Sequence, residues 1–139
     1  MKGIVSASAR ITPQFYDLDP MDIVWHGNYA RYFELARCAV MDLIGYGYKE
    51  MRASGFSWPI IDMHVRYFHP LALAQAADVT ASIVEWEHRL KTLYVIRDAT
   101  TGRKLTSGHT VQVAIDSATG QLQWETPAAL REKLGPYLP

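Results

Sequence analysis

The chain has 139 residues, of which 49% are hydrophobic and 20% are charged, as is ordinary for a globular protein. This length predicts one domain spanning residues 1–139. Fourteen basic residues balance fourteen acidic ones, so the net charge gives no indication of binding to nucleic acid or to an anionic membrane.

The single cysteine, Cys38, excludes an internal disulfide bond. A lone cysteine is typical of a protein from a reducing compartment, so we expect a cytoplasmic location. No segment approaches the roughly 18 consecutive apolar residues that a membrane-spanning helix needs, and residues 1–11 lack the apolar run of a signal peptide. The sequence therefore predicts no association with a membrane.

The first elements are a strand and a long helix, separated by an acid-rich turn. Loose alternation over Gly3–Tyr16 predicts the strand. Apolar residues at i, i+3, i+4 and i+7 spacing predict the helix over Tyr29–Ile44. Asn28 is expected to cap the helix through its side chain, and Gly45 is expected to end it. The apolar stripe comprises Tyr29, Tyr32, Phe33, Ala36, Val40, Leu43 and Ile44.

The rest of the chain is predicted to be mainly strands. Tyr46–Ser57 is a polar connection with a helical turn, and Ala128–Leu134 is expected to be helical. The predicted strands are Trp58–Phe68, Ala77–Glu87, Lys91–Ala99, Leu105–Asp116 and a short run at Gln121–Glu125. Short turns between strands imply antiparallel neighbours. The order predicts an α+β architecture in which a curved sheet wraps around a central helix.

The acid-rich turn carries the chemically unusual residues. Asp17, Asp19, Asp22 and His26 lie within ten positions and directly precede the predicted helix. A helix N-terminus offers free amides and the positive end of the helix dipole, so it favours an anion or a developing oxyanion. A carboxylate beside such a terminus supplies two of the parts needed for acyl transfer. Alternatively, the acids only form a turn with Pro20 and complement the dipole.

The segment Asp17–Tyr29 resembles the signature of the 4-hydroxybenzoyl-CoA thioesterase family of hot-dog-fold proteins. That signature is roughly Asp-x-Asp-x-x-Gly-(Val/Ile)-Val-(Tyr/Trp)-His-x-x-Tyr, followed by a long helix, and Asp22 stands where the family usually has glycine. The strand pattern and the pair Glu85-Trp86 extend the resemblance over nearly the whole chain. The resemblance implies a hot-dog fold, with an antiparallel sheet of five to six strands wrapped around one long central helix.

The resemblance also implies the activity. We expect hydrolysis of an acyl thioester carried on CoA or on acyl carrier protein, without a metal or another cofactor. Asp17 matches the family's catalytic aspartate and would act either as nucleophile, through a mixed anhydride, or as general base on water. The backbone N–H of His26 would polarise the thioester carbonyl; otherwise its imidazole orients water or substrate, or it is an exposed loop histidine.

Four further residues are candidate contacts for the substrate. Gly27 would allow the substrate to approach closely, and Asn28 lies next to it in the motif. Trp25 would line an aryl or polyene pocket, or belong to the core. Asp62 lies on the Trp58–Phe68 strand and either faces water or lines the site.

The turn after Glu85-Trp86 carries His88, Arg89 and Lys91. It resembles the basic turn with which family members meet the CoA phosphates, and a guanidinium suits phosphate because it can bond two oxygens. The alternative is a solvated basic hairpin turn.

The aromatic content predicts self-association. Four tryptophans and eight tyrosines exceed what one small core needs, and one helix covers only part of a five-stranded sheet. We therefore expect a homodimer or homotetramer, and the resemblance implies active sites at the interface between subunits.

Two rival functions remain on this fold. A 3-hydroxyacyl thioester dehydratase usually needs a histidine with an acid on the helix, and this helix has Glu34 and Asp42 but no histidine. A non-catalytic acyl-thioester-binding module would keep the helix and the sheet but would not need Asp17.

Overall fold

A five-stranded antiparallel sheet is the largest feature of the computed structural model, which describes residues 3–139. In chain order the elements are β1 (Val5–Ile11), α1 (Tyr29–Leu43), α2 (Tyr48–Ala53), β2 (Phe56–Ser57), β3 (Ile60–Tyr67), β4 (Ala77–Glu85), β5 (Leu90–Asp98), β6 (Lys104–Gln112), β7 (Ile115–Asp116) and α3 (Ala128–Leu134). The large sheet has the order β1-β4-β5-β6-β3, and β2 pairs with β7 separately. With α1 packed on one face, this is the expected hot-dog fold.

The contact between α1 and the sheet forms the core. The predicted stripe is largely the face that α1 buries, and the ring of Phe33 stacks on that of Tyr94 with centroids 4.3 Å apart. Gly108 lies beneath this pair, and a Cβ there would collide with the Phe33 ring and the His64 carbonyl. The helix therefore approaches the sheet closely because β6 has no side chain at Gly108.

The register of the strands gives the sheet two distinct ends. β1 ends at Ile11 and β3 ends at Tyr67 on the same side, which we call the Ile11 end. At the opposite side Ile60 and Leu90 both pair with Gln112, and we call this the Ile60 end. The hairpin between β4 and β5 lies at the Ile60 end.

The helix α1 runs from the Ile11 end to the Ile60 end. At its start the Tyr67 hydroxyl donates a 2.8 Å hydrogen bond to the His26 carbonyl. Beyond its last turn the Trp58 indole donates to the Tyr46 hydroxyl at 3.1 Å. Gly45, with φ of +80°, ends the helix as predicted.

The edge strand β3 remains exposed. It pairs with β6 on one side and with no other strand of residues 3–139 on the other. All its residues except the half-buried Val65 are exposed, including Ile61 at 61% and Met63 at 46%. The predicted alternation is present, but one chain does not bury the apolar face of this strand.

Three of the sequence-based boundaries are wrong. The first strand stops at Ile11, and Phe15–Asp17 forms a 3₁₀ turn instead. The run predicted over Leu105–Asp116 breaks after Gln112, where the chain leaves the large sheet to form β7. Gln121–Glu125 forms no strand and contributes a single bridge to β7. Alternation alone does not reveal that the chain changes its pairing partner.

Between residues 3 and 139, no helix is long and apolar enough to cross a membrane.

Candidate active site

Asp17 is buried and held in place by its own backbone. Its side chain ends the Phe15–Asp17 turn, is 7% exposed, and accepts the Gln14 N–H at Oδ2 over 2.8 Å. Its carbonyl accepts the Trp25 N–H at 2.9 Å and the Asn28 side-chain amide at 2.8 Å. No other donor in the described part of the chain bonds the carboxylate, so one oxygen is left for a further partner.

His26 begins the turn that leads into α1. The 3₁₀ turn His26–Asn28 runs directly into the helix. Across residues 3–139, neither the His26 N–H nor the Gly27 N–H donates to a protein acceptor. Two free amides at a helix N-terminus are the donors that an oxyanion needs. The imidazole of His26 is exposed, with its ring 5.3 Å from that of Trp25.

The side chains of Asp17 and His26 line different clefts of the single chain. Asp17 lines a cleft of about 440 Å³ together with Tyr32 and Arg31. His26 lines a cleft of about 270 Å³ with Tyr29 and Tyr67. The two residues are neighbours through the bond from Trp25 N–H to the Asp17 carbonyl. That backbone bond places Asp17 beside the helix start, but the side chains of Asp17 and His26 do not enter the same cleft.

Asn28 does not cap α1, contrary to the prediction. Its backbone is already helical, with φ of −76° and ψ of −16°, whereas a capping residue is usually extended. Its side chain is buried and donates to the Asp17 carbonyl instead. Asn28 therefore ties the helix start to the acid-rich turn.

Trp25 occupies the space next to Gly27. A Cβ on Gly27 would collide with the Trp25 indole, which is itself 49% exposed. The absence of a side chain at Gly27 thus makes room for a tryptophan ring in the single chain.

Asp22 has a left-handed backbone, with φ of +62°, and its side chain is exposed. This conformation is strained for most residues and free of strain for glycine, while aspartate tolerates it better than most. The departure from the family signature therefore keeps the backbone geometry that the usual glycine would adopt.

Asp22→Gly is expected to raise the free energy of unfolding by about 0.5 kcal/mol, because removing the Cβ relieves strain that exceeds the added chain entropy. Urea denaturation measures this. Ala74, at φ of +63°, is the matched control, and Ala74→Gly should be stabilising for the same reason. A loss of stability only in Asp22→Gly would show that the aspartate side chain itself stabilises the turn.

Asp62 and the basic turn lie away from Asp17 within one chain. Asp62 is on the sheet face opposite α1, with Oδ2 3.5 Å from His109 Nε2. Arg89 is paired with Glu85 at 2.7 Å, and this pairing lowers the pKa of Glu85. His88 Nδ1 lies 2.9 Å from the Trp124 carbonyl. All lie towards the Ile60 end, whereas Asp17 is at the Ile11 end.

A cavity of about 750 Å³ also lies at the Ile60 end, beside the second half of α1. Its apolar lining includes Met41, Met51 and Trp58, and its polar lining includes Arg37 and Gln112. The sequence analysis placed Arg37 and Met41 on the helix and Met51 in the connection. It placed Trp58 and Gln112 on predicted strands. No arrangement of three or more potential metal ligands occurs within residues 3–139.

Tyr32 is a residue whose place near Asp17 the sequence did not reveal. Its spacing put it on the apolar stripe, and it is indeed buried. Tyr32 lines the Asp17 cleft, where burial and the neighbouring carboxylate raise the pKa of Tyr32 to about 12. The signal in the sequence was the phenol, since Tyr32, like Tyr29, brings a hydroxyl to an otherwise apolar helix face.

Known proteins resemble this chain in sequence and in fold. The chain is 26% identical over 132 residues to a Synechocystis sp. protein provisionally named an esterase, covering 90% of this chain and 75% of that protein. It is 31% identical over 85 residues to Bacillus subtilis YneP, provisionally named an acyl-CoA thioesterase, covering 61% of each. It superposes on a DHNA-CoA thioesterase from Staphylococcus aureus with a TM-score of 0.79 and 25% identity, covering 86% of this chain and 80% of that one.

The match to a protein family covers the acid-rich turn, α1 and the whole of the large sheet after β1. Residues 13–134 match the Thioesterase-like superfamily. The chain belongs to the Thioesterase-like superfamily, with the hot-dog fold that the resemblance in Asp17–Tyr29 implies.

Proposed function

We propose that this protein hydrolyses acyl thioesters, with Asp17 as the reacting carboxylate. The observation that carries the proposal is the buried Asp17 side chain, which is held at one oxygen and tied through its carbonyl to the start of α1. The free N–H groups of His26 and Gly27 at that helix start are the donors for the thioester oxygen. Pre-aligned donors of this kind stabilise the charge that develops on the carbonyl oxygen.

Two routes use the same atoms. In the first, Asp17 attacks the thioester carbon, the thiolate leaves and takes a proton, and water then hydrolyses the mixed anhydride. In the second, Asp17 takes a proton from a water molecule that attacks the carbon directly. Both consume one water molecule and release a carboxylic acid and a thiol.

We propose CoA as the carrier of the acyl group. The relatives support this, since YneP and the Staphylococcus aureus enzyme are both named for CoA thioesters. Acyl carrier protein is the alternative carrier, and the assay below distinguishes the two. The single cysteine fits a reducing compartment, and we propose the cytoplasm.

We propose that two copies associate through β3 into a homodimer, which pairs further if the protein is a homotetramer. An exposed edge strand with apolar side chains is a ready surface for strand pairing. Ile61 and Met63 are the exposed apolar residues of this edge. Two β3 strands running antiparallel around a twofold axis extend both sheets into one.

Antiparallel pairing of β3 has a consequence for the active site. It sets the Ile11 end of one subunit beside the Ile60 end of its partner, because β3 spans both ends. The helix start with His26 then lies next to the partner's cavity of about 750 Å³. We propose that this cavity takes the acyl group, whose apolar body would contact Met41, Met51 and Trp58.

The same arrangement would place the partner's basic turn near the thioester. We expect Arg89→Ala combined with Lys91→Ala to raise KM for CoA thioesters several-fold with kcat nearly unchanged, the mark of lost uniform binding. Steady-state kinetics measure this, with Arg103→Ala/Lys104→Ala, in the hairpin at the Ile11 end, as the matched control. An unchanged KM in the Arg89→Ala/Lys91→Ala variant would exclude a contact between the basic turn and the CoA phosphates. It would favour acyl carrier protein as the carrier of the acyl group.

The proposed activity is tested by thiol release from short, long and aromatic acyl-CoAs, repeated with acyl carrier protein conjugates. Turnover that requires Asp17 supports the proposal. Binding without turnover across the whole panel would favour a non-catalytic acyl-thioester-binding module.

A further inference from the structure

Tyr32 and Asp17 meet in one cleft because α1 begins where the acid-rich turn ends. Asn28 fixes the Asp17 carbonyl at 2.8 Å, and Tyr32 follows one turn later on the same side of the helix. Both residues are 7% exposed and line the cleft of about 440 Å³. The Tyr32 ring packs edge-on against Tyr29, with centroids 5.8 Å apart, so its direction is set by the core.

The Tyr32 hydroxyl is buried and forms no hydrogen bond of ordinary geometry within residues 3–139, while the Asp17 carboxylate lies near enough to act on it. An unpaired buried hydroxyl is destabilising, and native structures rarely retain one without a purpose. Burial, first, and then the charge of Asp17 raise the pKa of Tyr32 to about 12. The phenol therefore keeps its proton at neutral pH and remains available as a donor.

The other charged groups around this pair already have partners, with one exception. Arg10 on β1 is paired with Asp78 at 2.6 Å. Glu34 on α1 is paired with Arg37 at 2.6 Å. Arg31, exposed on the same helix turn, forms no ion pair in the described chain. Its charge acts on Tyr32 in the direction opposite to that of Asp17, lowering the pKa of the phenol.

We propose that Tyr32 is a positioning residue for Asp17. Its hydroxyl donates a hydrogen bond to the carboxylate, directly or through one water in the cleft, while the Gln14 N–H holds Oδ2. With donors on both sides, the carboxylate is held in one orientation. The role in catalysis rests on the proposed thioester hydrolysis; the contact itself does not.

Tyr32→Phe tests this proposal with a variant that keeps the ring. Loss of the donor disfavours the ionised carboxylate, so the acid limb of the kcat profile should move to higher pH by about half a unit. We expect kcat at neutral pH to fall about tenfold, with KM within about twofold of wild type. The melting temperature should stay level or fall slightly, because the variant loses the bond to Asp17 but keeps the shape of the ring.

Tyr94→Phe is the matched control. Tyr94 is also buried, but its hydroxyl is bonded to Thr110 at 2.7 Å within the sheet. Its removal leaves Thr110 unpaired, so the melting temperature should fall while kcat and the acid limb stay unchanged. A role of Tyr32 in stability alone would make Tyr32→Phe behave like this control.

A second measurement does not depend on activity. The titration of the Asp17 carboxyl carbon, followed by ¹³C NMR in wild type and Tyr32→Phe, should show a midpoint raised by about half a unit in the variant. If wild type hydrolyses no thioester, the proposed function fails and this titration still decides the contact. An identical midpoint, or a Tyr32→Phe variant with wild-type kcat and acid limb, would overturn the role of Tyr32.

Discussion

Asp17→Asn is expected to lower kcat for the best thioester by at least about a hundredfold, with KM largely retained. An amide is a poor nucleophile and a poor base, so the anhydride route and the general-base route fail together. Positioned acid–base groups contribute about 10²–10⁴ in rate, which sets the lower bound of the expected loss.

The fold should survive this substitution. The Asp17 carboxylate accepts one hydrogen bond, from the Gln14 N–H at 2.8 Å, and the carbonyl oxygen of asparagine can accept the same bond. The bonds from Trp25 and Asn28 go to the main chain and do not depend on the side chain. We expect a loss of stability of about 1 kcal/mol or less, measured by urea denaturation.

Asp19→Asn is the matched control. Asp19 Oδ1 accepts the Met21 N–H at 2.8 Å, which is a turn contact that asparagine can also make. This variant should keep kcat within about threefold of wild type, measured in the same thiol-release assay. A folded Asp17→Asn enzyme that also stays within threefold would remove the carboxylate from the mechanism and point to a site built around His26.

The helix α1 was the most predictable element. Its 3.6-residue period depends only on neighbouring residues, and the buried face matches the stripe from Tyr29 to Val40. The motif Asp17–Tyr29 was equally local, so its resemblance located the turn and the helix start together. Alternation likewise identified most of β4 and β5, where every second residue is buried.

Other parts of the site depend on contacts that no hydrophobic period in the sequence indicates. The bond from Gln14 to Asp17 forms in a 3₁₀ turn, which has no hydrophobic period to announce it. The position of Asn28 matched that of a helix cap, but its side chain donates a hydrogen bond to the Asp17 carbonyl instead. Because β1 and β4 are antiparallel, Asp17 after β1 and the basic turn after β4 lie at opposite ends of the sheet, which no local pattern shows.

The edge strand β3 shows why the surface proposed for self-association could not be located from the sequence. Aromatic content indicated more apolar surface than one chain buries, but alternation in Ile60–Tyr67 looks the same for a covered and an uncovered strand. Only the pairing of β3 with β6 alone identifies the free edge.

Ile61→Lys combined with Met63→Lys is expected to convert the proposed dimer to a monomer and to lower kcat/KM by at least about a hundredfold. Both side chains are already exposed in the single chain, at 61% and 46%, so the fold tolerates the lysines. In a β3–β3 pair the four lysines of two copies would face one another, and lysine on an edge strand opposes strand pairing. Light scattering measures the mass, which is 15.7 kDa for one chain.

Activity should fall with the mass because the helix start of one subunit needs the partner's cavity in this arrangement. Leu43→Lys is the control, since Leu43 is 53% exposed at the end of α1, away from β3. It should keep the wild-type mass and activity. A monomeric Ile61→Lys/Met63→Lys variant with full activity would show that each chain carries a complete site. An Ile61→Lys/Met63→Lys variant that remains a dimer would show that the subunits associate through a surface other than β3.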